Sequence, residues 1–230
     1  MTGSRRPLGV VIAAGGLGRR MGRRLPKQFL ALGPGPILAM TVGCFLRHPG
    51  VRAVVVAAPP AYVSRTRRVL ARLTGRVRPV VVAGGPTRQA SVAAALAALP
   101  DDVPLVVVHD AVRPFVSRAL IDRVVAAARR TGAAVCGLPV AETVKRVRQG
   151  QVQATLDRSD LWAVQTPQVF RTALLREAHD KARRDGVTAT DDAALVERLG
   201  QPVRVVLGSP DNVKITTAAD LVRARRHWPG

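Results

Sequence analysis

The sequence predicts an α/β protein built on a doubly wound, mostly parallel sheet in one domain, with a β-hairpin arm protruding from it. Three observations carry that expectation. Short apolar runs recur along the chain, segments of helical spacing separate them, and one stretch of alternating residues about a Gln-Gly turn breaks the rhythm. The first run, Leu8–Ala13, stops at Ala14-Gly15-Gly16, as a strand buried on both faces does. Ile37–Leu46 reads as a helix and Val51–Ala58 as the second strand. Residues 62–73 (helix), 77–83 (strand), 91–99 (helix) and 105–109 (strand) continue the alternation. In the helix expected over 117–130, Leu120, Ile121, Val124, Val125 and Ala128 share one face, and Asp122, Arg123, Arg129 and Arg130 lie elsewhere. Residues 133–138 and 203–207 supply the fifth and sixth strands, joined by right-handed crossovers. Between them, Glu142 to Val147 and Val152 to Leu156 flank Gln149-Gly150, which predicts a hairpin arm over 140–158.

Composition narrows the class. A chain of 230 residues, 47% hydrophobic, suits one large globular domain. The longest apolar runs, such as 103–108 broken by Pro104, are too short to span a bilayer, so no membrane partner is expected. The apolar run after Pro7 ends in glycines and is shorter than a signal-peptide core. Cys44 and Cys136 are isolated thiols, which fits a reducing compartment and a cytoplasmic location. The net charge of +21 points to anionic partners. Only four of the 36 basic residues are lysine, however, the arginines are scattered, and aromatics amount to 3%. Little is therefore available to stack on bases, no nucleic-acid partner is expected, and an anionic substrate accounts for part of the charge.

In such a sheet ligands lie beyond the carboxyl ends of the strands. After the first strand comes Ala14-Gly15-Gly16-Leu17-Gly18-Arg19-Arg20-Met21, then Pro26-Lys27-Gln28. Small residues let backbone N–H groups approach a polyphosphate, and Arg20 and Lys27 add positive charge there. The loop lacks the Gly-Lys-Ser/Thr ending of a Walker motif and the third glycine of a dinucleotide fingerprint. Taken alone, such a loop can also be a tight turn, and Arg19 and Arg20 solvated surface charge. Lys27 and Lys214 are more telling, because lysine is scarce in this chain. Asp110 directly follows the fourth strand, where a carboxylate can meet a metal, bind a hydroxyl or cap a helix. His109 before it reads as a packed, hydrogen-bonded residue.

These words, with Gly84-Gly85-x-x-Arg88-x-x-Ser91-Val92, His109-Asp110-Ala111-Val112-Arg113-Pro114, Glu142-Thr143-Val144-Lys145, Thr155-Leu156-Asp157-Arg158, Thr166-Pro167-Gln168, Thr190-Asp191-Asp192 and Asp211-Asn212-Val213-Lys214-Ile215-Thr216, occur in order over about 10–221. In them the chain resembles the 2-C-methyl-D-erythritol 4-phosphate cytidylyltransferases of the non-mevalonate isoprenoid pathway. Ala13 replaces a common proline and Val112 a usual alanine; neither position supplies a reactive group. The resemblance implies a Rossmann-like nucleotidyltransferase fold and transfer of CMP from CTP to methylerythritol phosphate. It implies Arg20, Lys27, Arg158 and Lys214 as catalytic cations. Nucleotide binding falls to Ala13, Ala14, Gly15, Gly16, Gly18, Lys27, Gly84, Gly85, Arg88, Ser91, Asp110 and Ala111. Substrate binding falls to Asp110, Arg113, Thr143, Arg158, Thr166 and Lys214. Mg²⁺ would be held mainly by the CTP phosphates, with Asp110 its candidate protein ligand, and the arm would embrace a second subunit in a homodimer. In-line attack on a phosphorus needs alignment and charge neutralisation rather than a base. Three other readings stay open: a cytidylyltransferase for another alcohol phosphate such as ribitol 5-phosphate, an arginine-rich nucleic-acid-binding module, and a non-catalytic sugar-nucleotide sensor.

Overall fold

All six expected strands form, and a seventh joins them. The computed structural model describes residues 7–16 and 25–228; Gly18, Arg19 and Arg20 lie outside the described residues. In chain order the elements are β1 (Leu8–Ala13), the short strands β2 (Ala31–Leu32) and β3 (Gly35–Pro36), α1 (Ile37–Leu46), β4 (Val51–Ala58), α2 (Val63–Leu70), β5 (Val80–Ala83) and α3 (Arg88–Ala97). Then follow β6 (Leu105–Asp110), α4 (Arg118–Thr131), β7 (Ala133–Pro139), β8 (Val144–Arg148), β9 (Gln151–Leu156) and β10 (Trp162–Arg171). The last four are α5 (Thr172–Arg184), α6 (Asp192–Glu197), β11 (Arg204–Leu207) and α7 (Ala218–Arg226). The main sheet runs β11-β7-β10-β6-β1-β4-β5. Its pairs are parallel except those of β10, which is antiparallel to both β6 and β7.

Strand alternation sends side chains to two cores. Val10 and Ile12 of β1 pack with Phe45 of α1 and Ile121 and Val124 of α4. Val11, between them, packs on the other face with Val92 and Leu96 of α3 and Leu175 of α5. Local chemistry sets the helix ends. Ser117 Oγ accepts the Leu120 N–H, and Gly132 closes α4 in the left-handed region at φ 90°. Thr87 caps α3 in the same way, and Thr217 with Asp220 forms a capping box on α7.

Several boundaries move, and the short strands β2 and β3, the strand β10 and the helices α5, α6 and α7 are additional. The helix expected over 62–73 is α2, with Pro60–Tyr62 as a 3₁₀ turn before it. The strands expected over 77–83 and 203–207 begin at Val80, just after Pro79, and at Arg204, two residues after Pro202. β10 carries Pro167 and two glutamines in a central position, and its register shifts between Gln165 and Gln168. That irregularity hides a strand from pattern reading. The arm forms as expected: β8 and β9 pair only with each other, about Gln149 (φ 50°) and Gly150 (φ 76°).

Candidate active site

Beyond the carboxyl ends of β1, β4, β5 and β6 lies a cleft of about 900 Å³. Lining it are Ala13, Ala14, Gly15, Gly16, Lys27, Gly84, Gly85, Arg88, Ser91, Asp110 and Ala111, every described residue of the expected nucleotide set, together with Lys214. Backbone bonds fix the rim: Ala14 N–H to the Ala57 carbonyl at 2.9 Å, Gly84 N–H to Ala58 at 2.7 Å and Ala111 N–H to Ala13 at 3.2 Å. Buried Gln28 donates to the Ala14 carbonyl at 2.8 Å, which fastens the Pro-Lys-Gln word under the first loop.

The glycines have two different reasons. A Cβ on Gly15 or on Gly84 would come within 2.7 Å of Ser91 Oγ, so those two turns close on a small buried serine. Ser91 Oγ lies 2.9 Å from the Thr87 carbonyl and 3.3 Å from that of Gly85, and its hydroxyl proton is engaged there. Ser91 therefore shapes the cleft floor more than it offers a donor to a ligand. Among the described residues a Cβ on Gly16 would meet nothing within 4 Å, and this position leaves room for a ligand.

A second cavity of about 260 Å³ adjoins the first and shares Arg88, Asp110 and Lys214 with it. Arg113 and Thr166, both expected at the acceptor, line it with Gln165, Gln168, Thr190 and Asp191. Asp110 is the hub of the shared wall. Its carboxylate receives Lys214 Nζ at 2.9 Å and Arg113 Nε at 3.3 Å on Oδ2, with Arg88 Nε at 3.6 Å from Oδ1. Burial alone would raise its pKa, but Lys214, Arg88 and Arg113 outweigh that and hold it well below the usual carboxylate range. Buried His109 has Nε2 3.1 Å from the Arg113 carbonyl, and burial pushes its pKa down to about 4. It is a neutral packing residue, as the sequence implied.

β10 positions the wall of the smaller cavity. Thr166 Oγ1 accepts the Asp110 N–H at 3.1 Å, and Asn212 Nδ2 donates to the Thr166 carbonyl at 2.8 Å. Gln165 donates to the Ser209 carbonyl, and Gln168 Nε2 to Asp191 Oδ2 at 2.7 Å. One bulged strand thus holds the loops on both sides of the cavity. The sequence assigned no role to Gln28, Gln165, Gln168, Asp191, Asp192 or Asn212. Most of them stand inside or beside its recurring words, which was the available signal.

Two expected acceptor residues are not brought to either cavity by this chain. Thr143 and Arg158 are exposed at the base of the arm, where Arg158 Nη1 donates to the Ala141 carbonyl. Arg20 and Gly18 lie outside the described residues. Among the described residues no group of three or more His, Cys, Asp or Glu could hold a metal ion.

A mostly parallel sheet with a glycine-lined cleft at its carboxyl edge, opening on a smaller cation-walled pocket, defines an α/β nucleotidyltransferase. The family model described as 2-C-methyl-D-erythritol 4-phosphate cytidylyltransferase matches residues 8–227. The chain belongs to that family. Its relatives of that name include the protein of Desulforamulus reducens, 47% identical over 94% of this chain and 93% of the relative, and that of Syntrophotalea carbinolica, 45% identical over 94% of each. The crystal structure of the Thermus thermophilus enzyme superposes with a TM-score of 0.79 at 43% identity, covering 96% of this chain and 98% of that one. The Francisella tularensis enzyme gives 0.83 at 32% identity, covering 96% and 99%.

Proposed function

We propose that this chain transfers CMP from CTP to 2-C-methyl-D-erythritol 4-phosphate, with the nucleotide in the larger cavity and the acceptor phosphate in the smaller. A phosphate oxygen of the acceptor attacks the α-phosphorus; the new P–O bond forms as the bond to the β-phosphate oxygen breaks, and pyrophosphate leaves. The shared wall carries this reading: Asp110, Lys214 and Arg88 border both cavities, so the two phosphates meet there. Lys27 sits on the nucleotide side and would neutralise charge on the transferring and leaving oxygens, a role the family likeness also gives Arg20. Lys214 and Arg113 would align the acceptor phosphate. Gly16 leaves the main chain open to the triphosphate, and Gly84 and Gly85 edge the base pocket. The relatives' shared name favours this acceptor over ribitol 5-phosphate.

A single carboxylate flanked by phosphate sites fits Mg²⁺ that arrives on CTP oxygens, with Asp110 as its one protein ligand. The ion would supply charge neutralisation at the phosphates; the residues above supply alignment.

The functional unit in this reading is a single-domain protomer in a homodimer, with 140–158 as the dimerising arm. Two features support it. Val147 and Val152 (60% exposed) stand out on a ribbon whose two strands pair with no other strand among the described residues. Next to the acceptor cavity, Trp162, Val164 (44% exposed), Val205 and Leu207 (57% exposed) form an uncovered apolar strip across β10 and β11. A twofold mate on that strip would carry Thr143 and Arg158 to the acceptor. No helix among the described residues is long and apolar enough to cross a membrane. A cytoplasmic location without nucleic-acid or membrane partners fits the two thiols and the small-anion site.

Pyrophosphate release measured with each of the four nucleoside triphosphates, with and without methylerythritol phosphate, tests the assignment. Release should require both CTP and the acceptor. Release indifferent to either, or equal with ribitol 5-phosphate, overturns it.

A further inference from the structure

Behind the wall between the two cavities lies a buried charge row that the reaction above does not use. Arg88 spreads its guanidinium over two carboxylates: Nη1 is 2.6 Å from Asp192 Oδ2, and Nε is 3.6 Å from Asp110 Oδ1. Asp192 is 1% exposed, and its other oxygen meets His179 Nε2 of α5 at 3.0 Å. The Asp192 N–H donates to Gln168 Oε1 at 3.3 Å. Thr190 and Asp191, two residues and one residue earlier, line the acceptor cavity, although Asp192 itself lines neither.

We infer that Asp192, backed by His179, is a positioning residue that orients Arg88 in the wall and so sets the nucleotide and acceptor sites together. The inference rests on the cytidylyltransferase reading and deepens it. Arg88 makes no hydrogen bond through Nη2 among the described residues, which leaves that donor for a phosphate oxygen. With Asp192 neutral, Asp110 is the one carboxylate among the described residues left within ion-pair distance of Arg88. Arg88 then draws Asp110 away from Lys214, 2.9 Å away, and the cation meant for the acceptor phosphate loses its anchor. Loss at Asp192 is therefore felt by both substrates, although it touches neither.

Asp192→Asn keeps the shape and removes the charge. Its kcat/KM should fall at least about tenfold against CTP and against the acceptor, each varied in turn, as for other supporting residues behind a reactive site. Arg88→Met should show a loss of the same kind, and the double variant should lose no more than Arg88→Met alone, because both act through one guanidinium. His179→Gln, which retains a donor toward Asp192, should stay within about threefold of wild type, while His179→Leu falls. Circular dichroism and melting temperature establish folding for each. If Asp192→Asn does not fold, the two His179 variants decide. A folded Asp192→Asn with unchanged kcat/KM, multiplicative losses in the double variant, or equal rates for the two His179 variants overturns the inference. Calorimetric titration with CTP alone makes the same comparison without turnover. An inactive wild type would thus count against the assigned reaction and still leave Asp192 tested, by weakened or unchanged CTP binding.

Discussion

Asp110 and His109 are neighbours at the end of β6, and opposite solutions keep them there. The carboxylate stays ionised because three cations face it, whereas the imidazole stays neutral because burial outweighs its bond to the Arg113 carbonyl and the nearby Asp110 charge. Each choice has a pH consequence. An unfolded histidine binds its proton near pH 6.5, and His109 in the folded chain does so only near 4. Between those values the unfolded state holds more protons, so stability drops as pH falls from about 6.5 to about 4, by on the order of 3 kcal/mol. Asp110, with its pKa depressed, contributes stability that is present above the ordinary carboxylate range and is lost at still lower pH. Denaturant unfolding of wild type and His109→Gln at pH 7 and pH 4.5 checks this. The variant should show the flatter dependence, and equal slopes would mean that His109 is not the titrating group. At this scale the sequence named most of the residues that line the two cavities. It could not show that Ser91 is engaged by its own loop, or that Asp192 stands behind Arg88, 104 residues earlier.

Elements decide which residues can meet. The parallel strands announce themselves as apolar runs, because both their faces are buried. β10 is equally central, but it reads as Gln-Thr-Pro-Gln in its middle, since its polar side chains serve the loops of the acceptor cavity. At Thr166, Gln165 and Gln168 the demands of those loops outweigh strand propensity. The arm shows the converse. Its turn and alternation are plain in sequence, yet none of its strand residues is fully buried. In the proposed dimer it completes the partner's site, so inactive Lys27→Ala and Arg158→Ala proteins should regain activity when mixed into heterodimers, each of which holds one intact site. Turnover of the mixed, subunit-exchanged sample is the measurement. No recovery in confirmed heterodimers would show that Arg158 serves its own chain.

For the whole molecule, charge is distributed by sheet half. The first hundred residues contain 16 of the 36 basic residues and no Asp or Glu, and all 15 acidic residues follow. That acid-free half builds β1, α1, β4, α2, β5 and α3, the side on which the nucleotide cleft opens. Asp110 is the only carboxylate among the described residues lining that cleft. A triphosphate approaching it meets a positive field with little local cancellation. The KM for CTP should accordingly rise several-fold between about 0.01 and about 0.5 M salt, as the field is screened. Steady-state kinetics across that range, with Mg²⁺ held constant, would show it; a flat KM would confine the attraction to contacts inside the cleft.

By itself the sequence determined the sheet class, the places where strands stop and the cations that follow them. Burial on two faces and close backbone approach leave periodic, local signatures, and these survive in one dimension. Only the tertiary structure decided that a bulged antiparallel strand lies between β6 and β7, that two cavities share one wall, and that Asp192 reaches Arg88. Those outcomes depend on contacts between distant segments, where a polar side chain is favourable only because its partner has been carried there by the fold.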